Sequence, residues 1–132
     1  MKARWVTVGC TGLAVGLVPW AIMLSARLPS TVQAQHWGIA WGGFDLLMAA
    51  GAGSTAWFSH RGDSRIALAA TVTATLAVVD AWFDVLTAQP GPELYTALTL
   101  ALCAELPLAV ACGAIALNAH RASAHASHVL AA

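Results

Sequence analysis

Four carboxylic acids, Asp45, Asp80, Asp84 and Glu105, sit inside long apolar stretches, and no lysine or arginine occurs at matching depth to neutralise them. An ion at the centre of a spanning helix costs about 2.5–3.5 kcal/mol, so four unpaired ions would cost roughly 10–14 kcal/mol, comparable with the whole stability of a small domain. Acids in that setting hold protons, bond to one another, or meet a cation that the chain does not supply. Asp80 and Asp84 stand at i,i+4 and share a helix face. Trp41 precedes Asp45 by the same interval, and Trp82 lies between the two later aspartates. Carboxylates interleaved with indoles offer a desolvated cation both Coulomb attraction and cation–π contact. The indicated chemistry is the binding or exchange of a cation against protons, with Asp45, Asp80, Asp84, Glu105, Trp41 and Trp82 as candidate ligand-binding residues. Asp45 and Asp80 would form the paired centre, Asp84 the entrance and Glu105 the deeper group. As metal ligands, Asp45, Asp80, Asp84 and Glu105 make an all-oxygen set, suited to a hard divalent metal or an organic cation rather than copper or zinc. No other cofactor is indicated.

The elements that would hold these residues are long and apolar. The chain has 132 residues, 59% of them hydrophobic and 9% charged, with zero net charge, and its mean hydropathy is +0.72. A soluble domain carries about 25% charged residues, so this is the composition of a bilayer protein. No basic run extends beyond His120-Arg121, which excludes nucleic acid as a partner. Apolar stretches at about residues 5–26, 37–58, 66–87 and 94–118 each approach the roughly 20 residues that cross the hydrocarbon. The predicted fold is all-α, an integral membrane bundle of four antiparallel transmembrane helices in a single domain, with residues 119–132 as a short tail. Lys2, Arg4, Arg61, Arg65 and Arg121 fall on one side of that bundle and Arg27 alone on the other, which puts both termini in the cytoplasm and the protein in the plasma membrane. At 1.5 Å per residue, Asp45 lies about 12 Å and Asp80 about 10 Å below the outer helix ends, nearly level. The acids therefore describe a pocket open to the outside rather than a wire through the membrane.

Other features add to or compete with this reading. Pro107 lacks an amide hydrogen and strips the carbonyl of Cys103 of its helical partner close to Glu105. A simple kink is the bland account, and Pro19 does the same for Val15. Gly12 with Gly16 and Gly38 with Gly42 have the spacing of close helix packing or dimerisation, so a homo-oligomer is expected if anything is transported. An interfacial aromatic belt accounts for Trp5, Trp37, Trp57 and Tyr95. Cys10, Cys103 and Cys112 read as small buried hydrophobes. His36, His60, His120, His125 and His128 sit at helix ends or in the tail, away from any core position for haem. The basic start, apolar run and Val32-Gln33-Ala34 resemble a cleavable leader, but the run of some 22 residues exceeds the 7–15 of a leader core. Cleavage would leave three spans carrying the same acids.

The segments Trp41-Gly42-Gly43-Phe44-Asp45, Asp80-Ala81-Trp82-Phe83-Asp84-Val85 and Ala104-Glu105-Leu106-Pro107 resemble those of small four-helix membrane proteins of actinobacteria without an assigned function. The resemblance covers the last three helices and implies a fold and a host but no activity. A structural reading stands beside the binding site: protonated acids could bond to each other, to Thr73 and Thr87, and to indole N–H groups, holding the bundle or an interface with a larger membrane complex. Such contacts average only about 0.6 kcal/mol, which makes four acids a costly adhesive. No nucleotide loop, zinc-protease motif or nucleophile elbow is present, and enzyme chemistry rests only on Asp80 and Asp84 as an acid and base pair acting on lipid.

Overall fold

The computed structural model describes residues 33–130 continuously, with side chains through Ala122, together with scattered positions between 11 and 31. Most of the predicted first span, Trp5–Ala26, with its Cys10, lies outside the described residues; the positions described within it are helical, and around Gly12 and Gly16 an added methyl meets nothing within 4 Å. The chain divides into two compact units, Met1–His36 and Trp37–Ala132, and the four acids belong to the second.

That second unit is built of helices, with no strand among the described residues: α1 (Trp37–Arg61), α2 (Ile66–Thr87), α3 (Pro92–Leu100), a π-helical turn (Ala101–Glu105) and α4 (Leu106–Leu130). The apolar run 66–87 coincides with α2, and the run 37–58 begins where α1 begins but ends three residues before it. Residues 119–130, expected as a tail, are helix and continue α4. Alanines at 119, 122, 124 and 126 supply the propensity that carries the helix on. Ile66–Thr87 and Pro92–Ala122 are long and apolar enough to cross a membrane.

The breaks follow the chemistry of their residues. Gly62 adopts a left-handed φ of 62° to end α1, and Asp63 accepts bonds from the backbone N–H of Arg65 at 2.9 Å and from its guanidinium at 2.7 Å. Between α2 and α3, Gly91 takes φ 115°, which a side chain would strain, and Pro92 opens α3 where its missing amide costs nothing.

Each helix turns a stripe inward, broadest on α2, which packs on both the preceding and the following helices. On α1 this stripe runs Trp41, Phe44, Met48, Gly51, Thr55 and Phe58, and on α2 it runs Ile66, Ala70, Thr73, Ala77, Asp80 and Asp84. Both advance in alternating steps of three and four, the signature of closely packed helices. Where α1 meets α2, the hydroxyls of Thr55 and Thr73 lie 3.2 Å apart, and a methyl group added at Gly51 would stand 2.9 Å from the Thr73 Oγ1. Gly51 is therefore the glycine that close packing needs. Around Gly38 and Gly42, the pair marked by spacing, an added methyl meets nothing within 4 Å.

α2 packs along α4 through small side chains. Its buried residues are Ala70, Thr73, Ala77, Asp80 and Ala81, against Ala97, Ala101, Glu105, Ala109 and Cys112 on the later helices, and among the described residues Thr73 is the largest side chain that is fully enclosed. Bulky apolar residues such as Ile39, Leu46, Leu102 and Val110 point outward instead. Small and polar inside with large and apolar outside inverts the order of a water-soluble core, and it suits helices whose surroundings are hydrocarbon.

Candidate functional site

The buried stripe of the last helices explains how an acid comes to lie in a seam of alanines. Up to Ala101 the stripe follows steps of three and four through Leu94 and Ala97, and the next position in that rhythm would be Ala104. The π-helical turn inserts one residue, so that Glu105 takes the buried place and Ala104 is exposed; Ala109, Cys112, Ala116 and Ala119 then continue the stripe one position late. Within this turn the N–H of Leu106 donates to the carbonyl of Ala101, five residues back. Pro107 is the local cause, because its ring crowds the preceding turn and it has no amide for Cys103. The proline does more than kink the helix: it sets which side chain enters the seam.

Glu105 is 7% exposed, and its Oε2 has no hydrogen-bond partner among the described residues. Asp80, 5% exposed, is buried in the facing stripe of α2. An unpartnered ionised carboxylate in such a place costs several kcal/mol, so the pair calls for protons or a counter-charge. Asp45, Asp80, Asp84 and Glu105 are close enough for their charges to interact. They do not, however, share one pocket. Asp45 is exposed, because it falls one residue, about 100° of helix, beyond the inward position held by Phe44. Trp82 is also turned outward and 64% exposed. Among the described residues no three His, Cys, Asp or Glu side chains form a group that could hold a metal ion.

Where α1 begins, α2 ends and α3 begins, a cleft of about 380 Å³ opens. Trp37 and Trp41 of α1 line it, with Asp84 and Thr87 of α2, Ala88, and Glu93, Thr96, Ala97 and Leu100 of α3. It has two carboxylates and no basic side chain in its lining. Thr87 donates its hydroxyl hydrogen to the carbonyl of Phe83 and Thr96 to that of Pro92, leaving both oxygens as acceptors. Asp84 sits in the last turn of α2, where the helix end already carries partial negative charge, a position that disfavours an anion by about 0.3–1 kcal/mol. Glu93 occupies the first turn of α3, where helix stability alone accounts for an acid.

Trp41 organises the wall of this cleft. Its ring makes edge contacts with Trp37 at 5.5 Å, Phe44 at 6.1 Å and Phe83 at 6.3 Å between centroids. A second, apolar groove of about 210 Å³ lies against the same rings, lined by Trp37, Ala40, Trp41, Phe44, Val79 and Phe83. Of the six residues singled out by sequence, the cleft gathers Trp41 and Asp84; Asp80 and Glu105 lie in the seam, and Asp45 and Trp82 on the surface. Trp37, Phe83, Glu93 and Thr96 were missed. A helical reading of 93, 96, 97 and 100 as one face would have found the α3 wall, whereas Trp37 carries the same signature as any interfacial tryptophan.

The basic residues of the α1–α2 turn are engaged elsewhere. Arg61 lies 4.4 Å over the ring of Trp57, and Arg65 lies 4.7 Å over Phe58 while pairing with Asp63. The hydrogen bonds from Arg65 hold the Asp63 carboxyl well below its ordinary range, at about 2.

No protein family, curated protein or solved structure matches this chain.

Proposed function

We propose that this chain is a small multi-pass protein of the plasma membrane whose cleft binds an organic cation in exchange for protons. The observation that carries this reading is the lining of the cleft, two carboxylates and two indoles without a base. Carboxylates supply charge, indole faces supply cation–π attraction worth about 2 kcal/mol once desolvated, and threonine oxygens supply acceptors. Protons compete with the cation for Asp84, so affinity rises with pH. In this reading α1 spans the bilayer with α2 and the α3–α4 helix, the first stretch makes a fourth antiparallel span, and both termini are cytoplasmic. The cleft then opens on the outer side. Asp80 and Glu105 form a buried reserve of protonatable groups behind it, and a divalent metal remains the alternative ligand for the carboxylates.

Thermal unfolding of the intact protein in maltoside micelles tests this. At a fixed concentration of 100 times its Kd at pH 8, tetramethylammonium should stabilise the fold at that pH by about 2.7 kcal/mol, raising the midpoint by several degrees. The rise should be larger at pH 8 than at pH 6 and absent in Asp84→Asn, which stays folded because Asp84 is only half-buried. A flat response of the wild type to tetramethylammonium and to magnesium or manganese overturns the reading.

Asp45 favours a second reading, in which the chain is a subunit of a homo-oligomer or larger membrane complex. Its carboxyl lies on an exposed face beside Leu46 and Leu47, and a spanning helix does not turn such a group to lipid. Under that reading Asp45→Asn breaks a complex that the wild type holds together on a sizing column, and leaves cation binding unchanged.

A further inference from the structure

The acidic cleft and the apolar groove are two halves of one surface. They adjoin at Trp37 and Trp41, which line both, yet their chemistry differs sharply: Asp84 and Glu93 face the cleft, whereas the groove is closed by Phe44, Val79 and Phe83 and carries no charged side chain. A small hydrated ion would use only the first half. A neutral apolar molecule would fill only the second and would leave two carboxylates without a counter-charge. We infer that the ligand is an amphiphilic organic monocation, its cationic head between Asp84, Glu93 and the indoles and its ring or short alkyl body in the groove against Phe83 and Val79. This rests on the cation reading of the cleft and adds the substrate class.

Trp41 makes the combination physically coherent. Its edge contacts with Trp37, Phe44 and Phe83 fix the indole so that one side of it borders the acids and another borders the groove. A ligand with charge and apolar bulk next to each other meets both without rearranging the helices. The groove of about 210 Å³ accommodates a single aromatic ring with room to spare, and not an extended polycyclic body. Charge complementarity selects the occupant: the neighbouring acids favour a positive head and repel an anionic amphiphile of equal size.

The test compares three probes by equilibrium dialysis with the purified full-length protein in maltoside micelles: tetramethylammonium, benzyltrimethylammonium, and neopentylbenzene, the neutral carbon analogue of the second. Burying the benzyl ring should make benzyltrimethylammonium bind on the order of tenfold tighter than tetramethylammonium. Phe83→Ala should abolish that preference while tetramethylammonium binding persists. Val79→Phe, which fills the groove without opening a cavity, should do the same and guards against a folding defect in the first variant. Equal binding of the two cations, or a preference that survives both substitutions, overturns the inference and leaves the cation reading of the cleft standing. Neopentylbenzene binding as tightly as its cationic analogue also overturns it. Failure of both cations to bind removes the cleft reading itself.

Discussion

At the scale of single residues, the acids divide into kinds that composition alone does not separate. Asp84 lines a cleft, Asp80 and Glu105 are enclosed among alanines, and Asp45 stands on the surface. The division follows from helical phase, since a change of one residue turns a side chain by about 100°. Asp63 belongs to yet another setting, a solvated turn in which Arg65 donates to both carboxylate oxygens. A carboxyl held at about 2 is ionised throughout the ordinary pH range, and the pairing supports the turn above the unfolded value near 4 and is lost as pH falls through about 2. The side-chain carboxyl carbon of Asp63, followed by NMR, should therefore titrate near 2 and move up towards 4 in Arg65→Gln. An unchanged midpoint in that variant would show that the turn backbone, rather than the guanidinium, sets it.

At the scale of elements, the decisive device is the π-helical turn before Pro107. It delays the buried stripe by one residue and so trades Ala104 for Glu105 in the seam. Replacing the proline should let the segment relax to a regular α-helix, because the Cys103 carbonyl regains a donor. The stripe beyond it then loses its phase, and Cys112, now 4% exposed, turns out of the seam. With Cys10 and Cys103 changed to serine, Pro107→Ala should speed N-ethylmaleimide labelling of Cys112 at least tenfold over the same background with proline. Continued protection of Cys112 would mean that packing against α2 holds the turn without the proline. Much of this level was legible in advance. The bounds of α2 and the two breaks at Gly62 and Gly91 follow from apolar run length, glycine and proline. The sense of the Pro107 effect did not, since a proline in a sequence announces a disturbed turn and leaves open whether the helix bends or takes in an extra residue. Glycine spacing did not mark the contact within the chain: Gly38 and Gly42 satisfy a four-residue rule and face open space, whereas packing of α1 on α2 uses Gly51, whose partner Thr73 lies on another helix.

At the scale of the whole molecule, small residues of the second unit, with Asp80 and Glu105, face inward while its Ile39, Leu46, Trp57 and Val110 face outward, and two helices are long and apolar enough to cross a membrane. The apolar, all-helical character was visible in composition because it is a property of the sum. The candidate site was visible only in part, because it is assembled from the ends of three helices: Trp41 and Asp84 stood out as oddities in apolar runs, whereas Glu93 and Trp37 looked ordinary until the start of α3 came beside the end of α2. The central claim is that this junction of carboxylates and indoles binds an organic cation against protons. The most direct measurement is the Kd of radiolabelled tetramethylammonium for the intact protein in micelles, by equilibrium dialysis at pH 6 and pH 8, with Asp84→Asn alongside. The account predicts saturable binding that tightens from pH 6 to pH 8 and weakens at least tenfold, about 1.4 kcal/mol, in the variant. Binding that ignores both pH and Asp84, or no saturable binding at either pH, would contradict it.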